Sequence, residues 1–345
     1  MPTSEMDLKQ WLSQQIGTED YQYLPLPGDA SFRTYSRIIN ESQSYIVMHA
    51  PPGKERTDEF VKIATAWHEH GLLVPQVLAW ERNKGFVLLT DFGDDLLLAK
   101  LNPNSVDAFY NTAMKSLIHL QGTCPKALDL PPYDAAFALL ELSHFKEWFI
   151  NRLLNCPFSP QEAAIWEKTC DNIVHHFCEQ PQVTVHRDYH SRNLMVLPNT
   201  HLGIIDFQDA MHGPITYDIA SLLKDCYIDW RSVDVQRWLA IFYEKLKAQG
   251  KLPEISLIQF NEWFDWVGLQ RHLKVLGIFS RLNIRDNKPR YLQYLPRIMH
   301  YVLEVTGKYE AFAPFHQYLI ETASPKMLMV LEQHNNLQGD TAKVA

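Results

Sequence analysis

The segment from Val185 to Phe207 restricts the fold more than any other. It runs Val185-His186-Arg187-Asp188-Tyr189-His190-Ser191-Arg192-Asn193, then Leu194-Met195-Val196-Leu197. A turn at Pro198-Asn199-Thr200-His201 follows, and then Leu202-Gly203-Ile204-Ile205-Asp206-Phe207. Two short apolar runs around such a turn predict a β-hairpin. The midpoint of Asn193 and Asp206 falls between Asn199 and Thr200, inside the turn, so these two residues are expected side by side at the open end. Asp188 lies on the tight loop just before them. Two carboxylates and an amide oxygen around one point are costly without a cation. Magnesium prefers hard oxygen ligands and uses one or two carboxylates, completing its shell with water and substrate phosphates. Asn193 and Asp206 are therefore candidate metal ligands. Asp188, left off the metal, is a candidate acceptor for a substrate hydroxyl proton. A buried His186–Asp188 pair is the structural alternative. Zinc on His186 and His190 would need that spacing on a helix.

Around this segment the chain divides in two. Strands are expected at Tyr21 to Leu26, Phe32 to Ile39, Tyr45 to Ala50, Val74 to Trp80 and Gly85 to Leu89, rich in β-branched and aromatic residues. An amphipathic helix precedes them at residues 4 to 16. Another starts at Thr57, with Phe60, Ile63, Ala64 and Trp67 on one face. Beyond Gly93 the pattern is mostly helical. Helices are expected from Ser105 to Leu120, from Ala135 to Leu154, and from Ser159-Pro160-Gln161-Glu162, a capping box with proline at the first helical position. Short strands interrupt at Val183 to Val185, Leu194 to Leu197 and Leu202 to Ile205. Helices resume near Thr216, and the polar last ten residues read as frayed. The expectation is an α+β, bilobal chain: residues 1–93 a β-rich lobe, residues 94–345 a larger helical lobe.

Composition narrows the partners. With 32 basic and 40 acidic residues in 345, the net charge of -8 argues against a sequence-independent nucleic-acid binder. No run of about 18 apolar residues suggests a membrane span, and the N-terminus lacks the pattern of a secretory signal. The five cysteines form no C-x-x-C and read as reduced thiols. The expected location is cytoplasmic, with no obligate protein partner evident.

The spacing H-R-D-x-x-x-x-N followed by D-F is that of a kinase catalytic loop and metal-binding segment. His190, Asp206-Phe207-Gln208-Asp209-Ala210, Gly213-Pro214 and Tyr217-Asp218-Ile219-Ala220 resemble the aminoglycoside phosphotransferase and choline kinase group. Blocks 28–33, 47–52, 186–189 and 270–279 together resemble the bacterial anomeric sugar kinases, which phosphorylate N-acetylmuramate and N-acetylglucosamine at the C1 hydroxyl during cell-wall recycling. The resemblance implies a protein-kinase-like fold and an ATP- and magnesium-dependent sugar kinase. Asp188 would be the catalytic base, with Asn193 and Asp206 on magnesium. The loop Gly28-Asp29-Ala30-Ser31-Phe32-Arg33 would cover the ATP phosphates, with Gly28, Ser31, Phe32 and Arg33 its contacts. Leu89 and Asp91 would lie at a hinge beside adenine. His190, Asp209, Arg271 and His272 are candidate acceptor contacts, although charges on the 269–281 helix read mostly as solvated.

One departure stands out. Kinases carry a lysine on the third strand, paired with a helix carboxylate. Here that strand reads Tyr45-Ile46-Val47-Met48-His49. Arg33, Lys54 and Lys62 are candidate replacements, and Glu59 or Glu69 candidate partners. A kinase of another small hydroxyl compound (an aminoglycoside, choline or homoserine) and a nucleotide-binding pseudokinase remain alternative readings.

Overall fold

The computed structural model describes residues 5–27, 32–41, 43–53, 55, 57–123, 128–252 and 254–341. Helix α1 (Glu5–Ile16) leads into strands β1 (Gln22–Pro25), β2 (Thr34–Asn40) and β3 (Gln43–His49), helix α2 (Thr57–Glu69), and strands β4 (Val77–Glu81) and β5 (Phe86–Thr90). The five strands form one antiparallel sheet in the order β1-β2-β3-β5-β4. Alternation along the strands sends Ile38, Val47, Phe86 and Leu88 to one face, where Leu8, Trp11 and Leu12 of α1 cover them. Met48, Val87 and Leu89 take the other parity and are also buried, so both faces are covered.

Helices α3 (Leu97–Lys100) and α4 (Val106–Gly122) follow, then α5 (Ala135–His144), a π-helical segment (Phe145–Leu153) and α6 (Pro160–Cys178). The expected single helix from 135 to 154 thus changes its winding at Phe145. Gly277 lies against this point: a β-carbon on it would lie 2.3 Å from the His144 backbone. The wider turn buries Phe145, Phe149 and Ile150 completely. The capping box at α6 forms as expected, with Glu162 N–H donating to Ser159 Oγ at 3.3 Å and Ser159 N–H to Glu162 Oε2 at 2.7 Å.

Strands β6 (Gln182–Val185), β7 (Leu194–Val196), β8 (Leu202–Ile204) and β9 (Met211–Pro214) precede helices α7 (Tyr217–Leu223), α8 (Ser232–Ala248), α9 (Leu257–Ile284), α10 (Leu295–Lys308), α11 (Ala313–Tyr318) and α12 (Ser324–Thr341). Helix α12 continues into the stretch read as frayed. Helix α9 is buried on all sides from Trp263 to Gly277, with polar Asp265, Gln270, Arg271, His272 and Lys274 among the apolar residues, as fits a helix enclosed by neighbours. Its Trp266, Leu269, Leu273, Leu276 and Phe279 centre the largest core cluster.

By internal contacts the chain forms two compact units: Met1–Leu130 with Ser191–Ala210, and Pro131–His190 with Met211–Ala345. Hydrogen bonds explain why the β7–β8 hairpin sits with the sheet: Val196 N–H to Asp95 O at 2.7 Å, Ile204 N–H to Leu73 O at 2.7 Å, and Leu98 N–H to Ser191 O at 3.0 Å. Among the described residues no helix is long and apolar enough to cross a membrane.

Candidate active site

In the first unit, β7 and β8 pair with Leu194 opposite Ile204 and Val196 opposite Leu202. The turn is centred on Asn199, half a residue from the expected centre. Asn193 therefore faces Ile205, whose N–H donates to its carbonyl at 3.0 Å, and Asp206 is the next residue along. Asp206 has φ +64°, so the chain turns sharply there and the carboxylate is exposed. Gln208 Nε2 donates to Asp206 Oδ1 at 2.9 Å and to the exposed Asp209 at 3.3 Å. Phe207 is buried against α2, its ring 5.0 Å from Phe60 and 5.6 Å from Trp67 between centroids. The hairpin thus brings one carboxylate and one amide to the same end. That donor set fits magnesium, which takes hard oxygens and keeps positions for water and phosphate. No group of three or more His, Cys, Asp or Glu side chains among the described residues forms a closed cage.

Of the expected nucleotide contacts, Gly28 and Ser31 lie outside the described residues. Phe32 has an exposed ring, and its N–H donates to Glu55 Oε1 at 3.2 Å. Arg33 Nη2 pairs with Glu55 Oε2 at 3.0 Å. Leu89 is buried in the sheet opposite Ile46 and Val77. Asp91 is tied to Arg37 Nε at 2.6 Å, to the Ser44 hydroxyl, and to Gly93 N–H at 2.8 Å. Burial opposes ionisation of Asp91, but these bonds prevail and hold its carboxyl below the ordinary value. Its side chain braces the segment after β5.

The second unit holds Asp188. Strand β6 ends at Val185, and the buried Asp218 of α7 then accepts His186 N–H at 2.7 Å and Arg187 N–H at 2.9 Å. Arg187 has φ +77°, a conformation a non-glycine residue adopts only when its surroundings impose it. His186 Nδ1 accepts the Asp188 N–H at 3.3 Å, so its ring bonds the loop backbone. Burial pushes the Asp218 carboxyl up to about 6, against the bonds from His186 and Arg187. The sequence pattern placed Asp218 in a family block without a role; its role is to hold the turn.

A buried polar cluster surrounds this loop. Arg187 Nη2 meets Glu141 Oε1 at 2.5 Å, and Lys274 Nζ meets the same oxygen at 2.9 Å. The Tyr133 hydroxyl donates to Glu141 Oε2, and Gln270 Nε2 does so at 3.2 Å. Arg271 Nη2 lies 3.4 Å from Asp188 Oδ1. Burial would raise the Asp188 carboxyl, but Lys274 and Arg271, then His190 and Arg187, hold it well below the usual carboxylate range. Arg271 and Lys274 are buried, not solvated as the helix pattern suggested. His190 is buried with its ring edge-on to Tyr227, and Nδ1 has no hydrogen-bond partner. His272 is fully buried, bonds the Lys224 carbonyl at 3.0 Å and stacks on Tyr301. Burial pushes its imidazole down to about 3, so it is a neutral packing residue. Cys156, Cys170, Cys178 and Cys226 are free thiols, and Cys124 lies outside the described residues.

A model of the phosphotransferase enzyme family matches residues 22–252. The chain belongs to this phosphotransferase family. It is 40% identical over 281 residues to an N-acetylmuramate/N-acetylglucosamine kinase of Pseudomonas aeruginosa, covering 81% of this chain and 82% of that protein. To a kinase of the same name from Pseudomonas putida it is 35% identical over 335 residues, covering 93% and 98%. The crystal structure of the ADP-bound aminoglycoside phosphotransferase APH(2'')-Ib superposes with a TM-score of 0.59 at 14% identity, over 88% of this chain and 99% of that one. The fold is thus that of the protein-kinase-like phosphotransferases, and the chain is a kinase of a hydroxyl acceptor.

Proposed function

We propose that the chain transfers the γ-phosphoryl group of ATP to the anomeric C1 hydroxyl of N-acetylmuramate, N-acetylglucosamine or both, within cell-wall recycling in the cytoplasm. The observation that carries this reading is the near end-to-end match to kinases named for those two sugars. The intact Asp188, Asn193 and Asp206 favour it over a pseudokinase. Asn193 and Asp206 would hold magnesium, which supplies charge neutralisation on the phosphates. Asp188, ionised at neutral pH, orients the C1 hydroxyl and accepts its proton as the oxygen bonds phosphorus and ADP departs. Glu141, Arg187 and Asp218 hold the loop that carries Asp188. Most of the rate enhancement would come from positioning.

Arg271, buried beside Asp188, suits the lactyl carboxylate of N-acetylmuramate, which a guanidinium binds in a fork. His190, with an unpartnered Nδ1, suits a sugar hydroxyl. Incubation with ATP, magnesium and a panel of amino sugars, choline and aminoglycosides, read by phosphorus NMR, tests the reading. A C1 phosphate on either sugar supports it. Transfer only to another acceptor, or to none, overturns it.

A further inference from the structure

A kinase needs a cation on the nucleotide phosphates, and the third strand does not supply one. Strand β3 ends at His49, whose ring lies against Phe86 at 5.2 Å between centroids. Burial pushes its imidazole below the ordinary value, and Nε2 has no hydrogen-bond partner. His49 is therefore neutral at pH 7. Lys62 is exposed on α2, and Lys54 lies outside the described residues. Glu59 and Glu69, the carboxylates expected to pair with the cation, are exposed on the same helix.

Arg33 is placed differently. Its guanidinium and the Glu55 carboxylate retain only 11% and 15% side-chain exposure, so their 3.0 Å pair is largely shielded from water. Glu55 uses its other oxygen to accept the Phe32 N–H. One carboxylate thereby fixes both the side chain of Arg33 and the backbone just before it. Glu55 lies two residues ahead of Thr57, where α2 begins. The same helix carries Phe60 and Trp67, against which Phe207 packs, and Phe207 adjoins Asp206. Helix α2 thus begins just after Glu55 of the Arg33 pair and packs against the residue that adjoins the candidate metal ligand. Tyr35, on β2, senses both groups. Its hydroxyl is pushed up to about 12, mainly by burial, with Arg33 lowering it and Asp206 and Glu55 raising it.

We propose that Arg33, held by Glu55, is the cation that binds the phosphates of the nucleotide in place of the absent third-strand lysine. This rests on the kinase reading above. An arginine–glutamate pair anchored ahead of α2 would then stand where other kinases use a lysine–glutamate pair anchored on the sheet. A guanidinium carries five donors in a fork, so it can hold a carboxylate on one edge and phosphate oxygens on another. It also stays charged when buried, which an ammonium does less reliably.

Calorimetric titration of the purified protein with magnesium-ATP and with adenosine separates this role from a structural one. Arg33→Met is expected to weaken magnesium-ATP binding about 10-fold or more, the scale of a lost charge-assisted bond, with adenosine affinity unchanged. Arg33→Lys restores part of the loss. Glu55→Gln, which keeps the size of the side chain, weakens magnesium-ATP binding by a smaller factor and serves if Arg33→Met does not fold. An unchanged ratio of magnesium-ATP to adenosine affinity in Arg33→Met, or in Glu55→Gln where only that variant folds, overturns the proposal and leaves the kinase reading standing. A wild-type protein that binds neither ligand overturns both.

Discussion

Asp188 has Lys274, Arg271 and Arg187 as its charged neighbours, whereas Asp218 is buried, accepts two backbone N–H groups and has His186 and Asp188 beside it. The two carboxylates should therefore titrate on opposite sides of the ordinary aspartate value. Asp188 has a depressed value: its contribution to stability is present above the unfolded-state value and is lost as pH falls through the folded one. Asp218 has a raised value, so the folded protein takes up a proton as pH falls through about 6, and that favours the folded state at acid pH. Activity runs the other way for Asp218, because its ionised form best accepts both His186 and Arg187 N–H groups. Carbon-13 NMR of aspartate-labelled protein should show Asp188 titrating below about 4, the reference range, and Asp218 near 6. An Asp188 signal titrating with ordinary surface carboxylates would sink the assignment of its neighbours' effect. Asp188→Asn should lower kcat by about 10²–10⁴-fold, the usual scale of general-base loss, and should also lower thermal stability, because Arg271 and Lys274 lose a neighbouring negative charge. The residues of this loop were legible because their chemistry is local in sequence. Glu55 was not, since nothing near it in sequence announces that its partner is Arg33. Nor was the burial of Arg271 and Lys274, whose partners Asp188 and Glu141 lie far away along the chain.

At the scale of elements, the hairpin that bears Asn193 and Asp206 depends on one ring. Phe207 is fully buried between Phe60 and Trp67, so Phe207→Ala removes a large side chain from a filled space. Such a change costs about 3–5 kcal/mol, to be read as a lowered midpoint in urea unfolding. The same substitution should weaken magnesium-nucleotide binding more than adenosine binding, because it loosens the end of the hairpin rather than the sheet. Equal weakening of both would place Phe207 outside the support of Asp206. The sheet, α2, the capping box of α6 and this hairpin were readable because hydrophobic period and turn chemistry are local signals. Strand β9 was not: no local period marks Met211-His212-Gly213-Pro214, and only pairing with Gln182–Val185, far back in the chain, makes it a strand. The winding change at Phe145 was equally hidden, and the glycine packed closely against it, Gly277, lies on another helix.

For the whole molecule, the net charge of -8 sets a field that repels both ATP and an anionic sugar. Within the second unit three cations gather around Asp188. Arg187, Arg271 and Lys274, largely out of water, face the buried Glu141 and Asp225 and the half-exposed Asp188. Buried charges are screened far less than exposed ones, so the local cations and the global field respond differently to salt. The two candidate acceptors allow the competition to be read, because N-acetylmuramate carries a carboxylate and N-acetylglucosamine does not. If the local cations govern acceptor binding, added potassium chloride raises KM for N-acetylmuramate relative to N-acetylglucosamine. If the global field governs, the ratio moves the other way, since screening relieves repulsion. We expect the first outcome, with a modest slope because the cations are buried, and we expect Arg271→Met to abolish it. A ratio that stays constant from low salt to about 0.5 M, where the Debye length falls to a few ångströms, would remove Arg271 from the acceptor site. N-acetylglucosamine serves as the internal control, because any effect of salt on ATP or on folding enters both measurements alike.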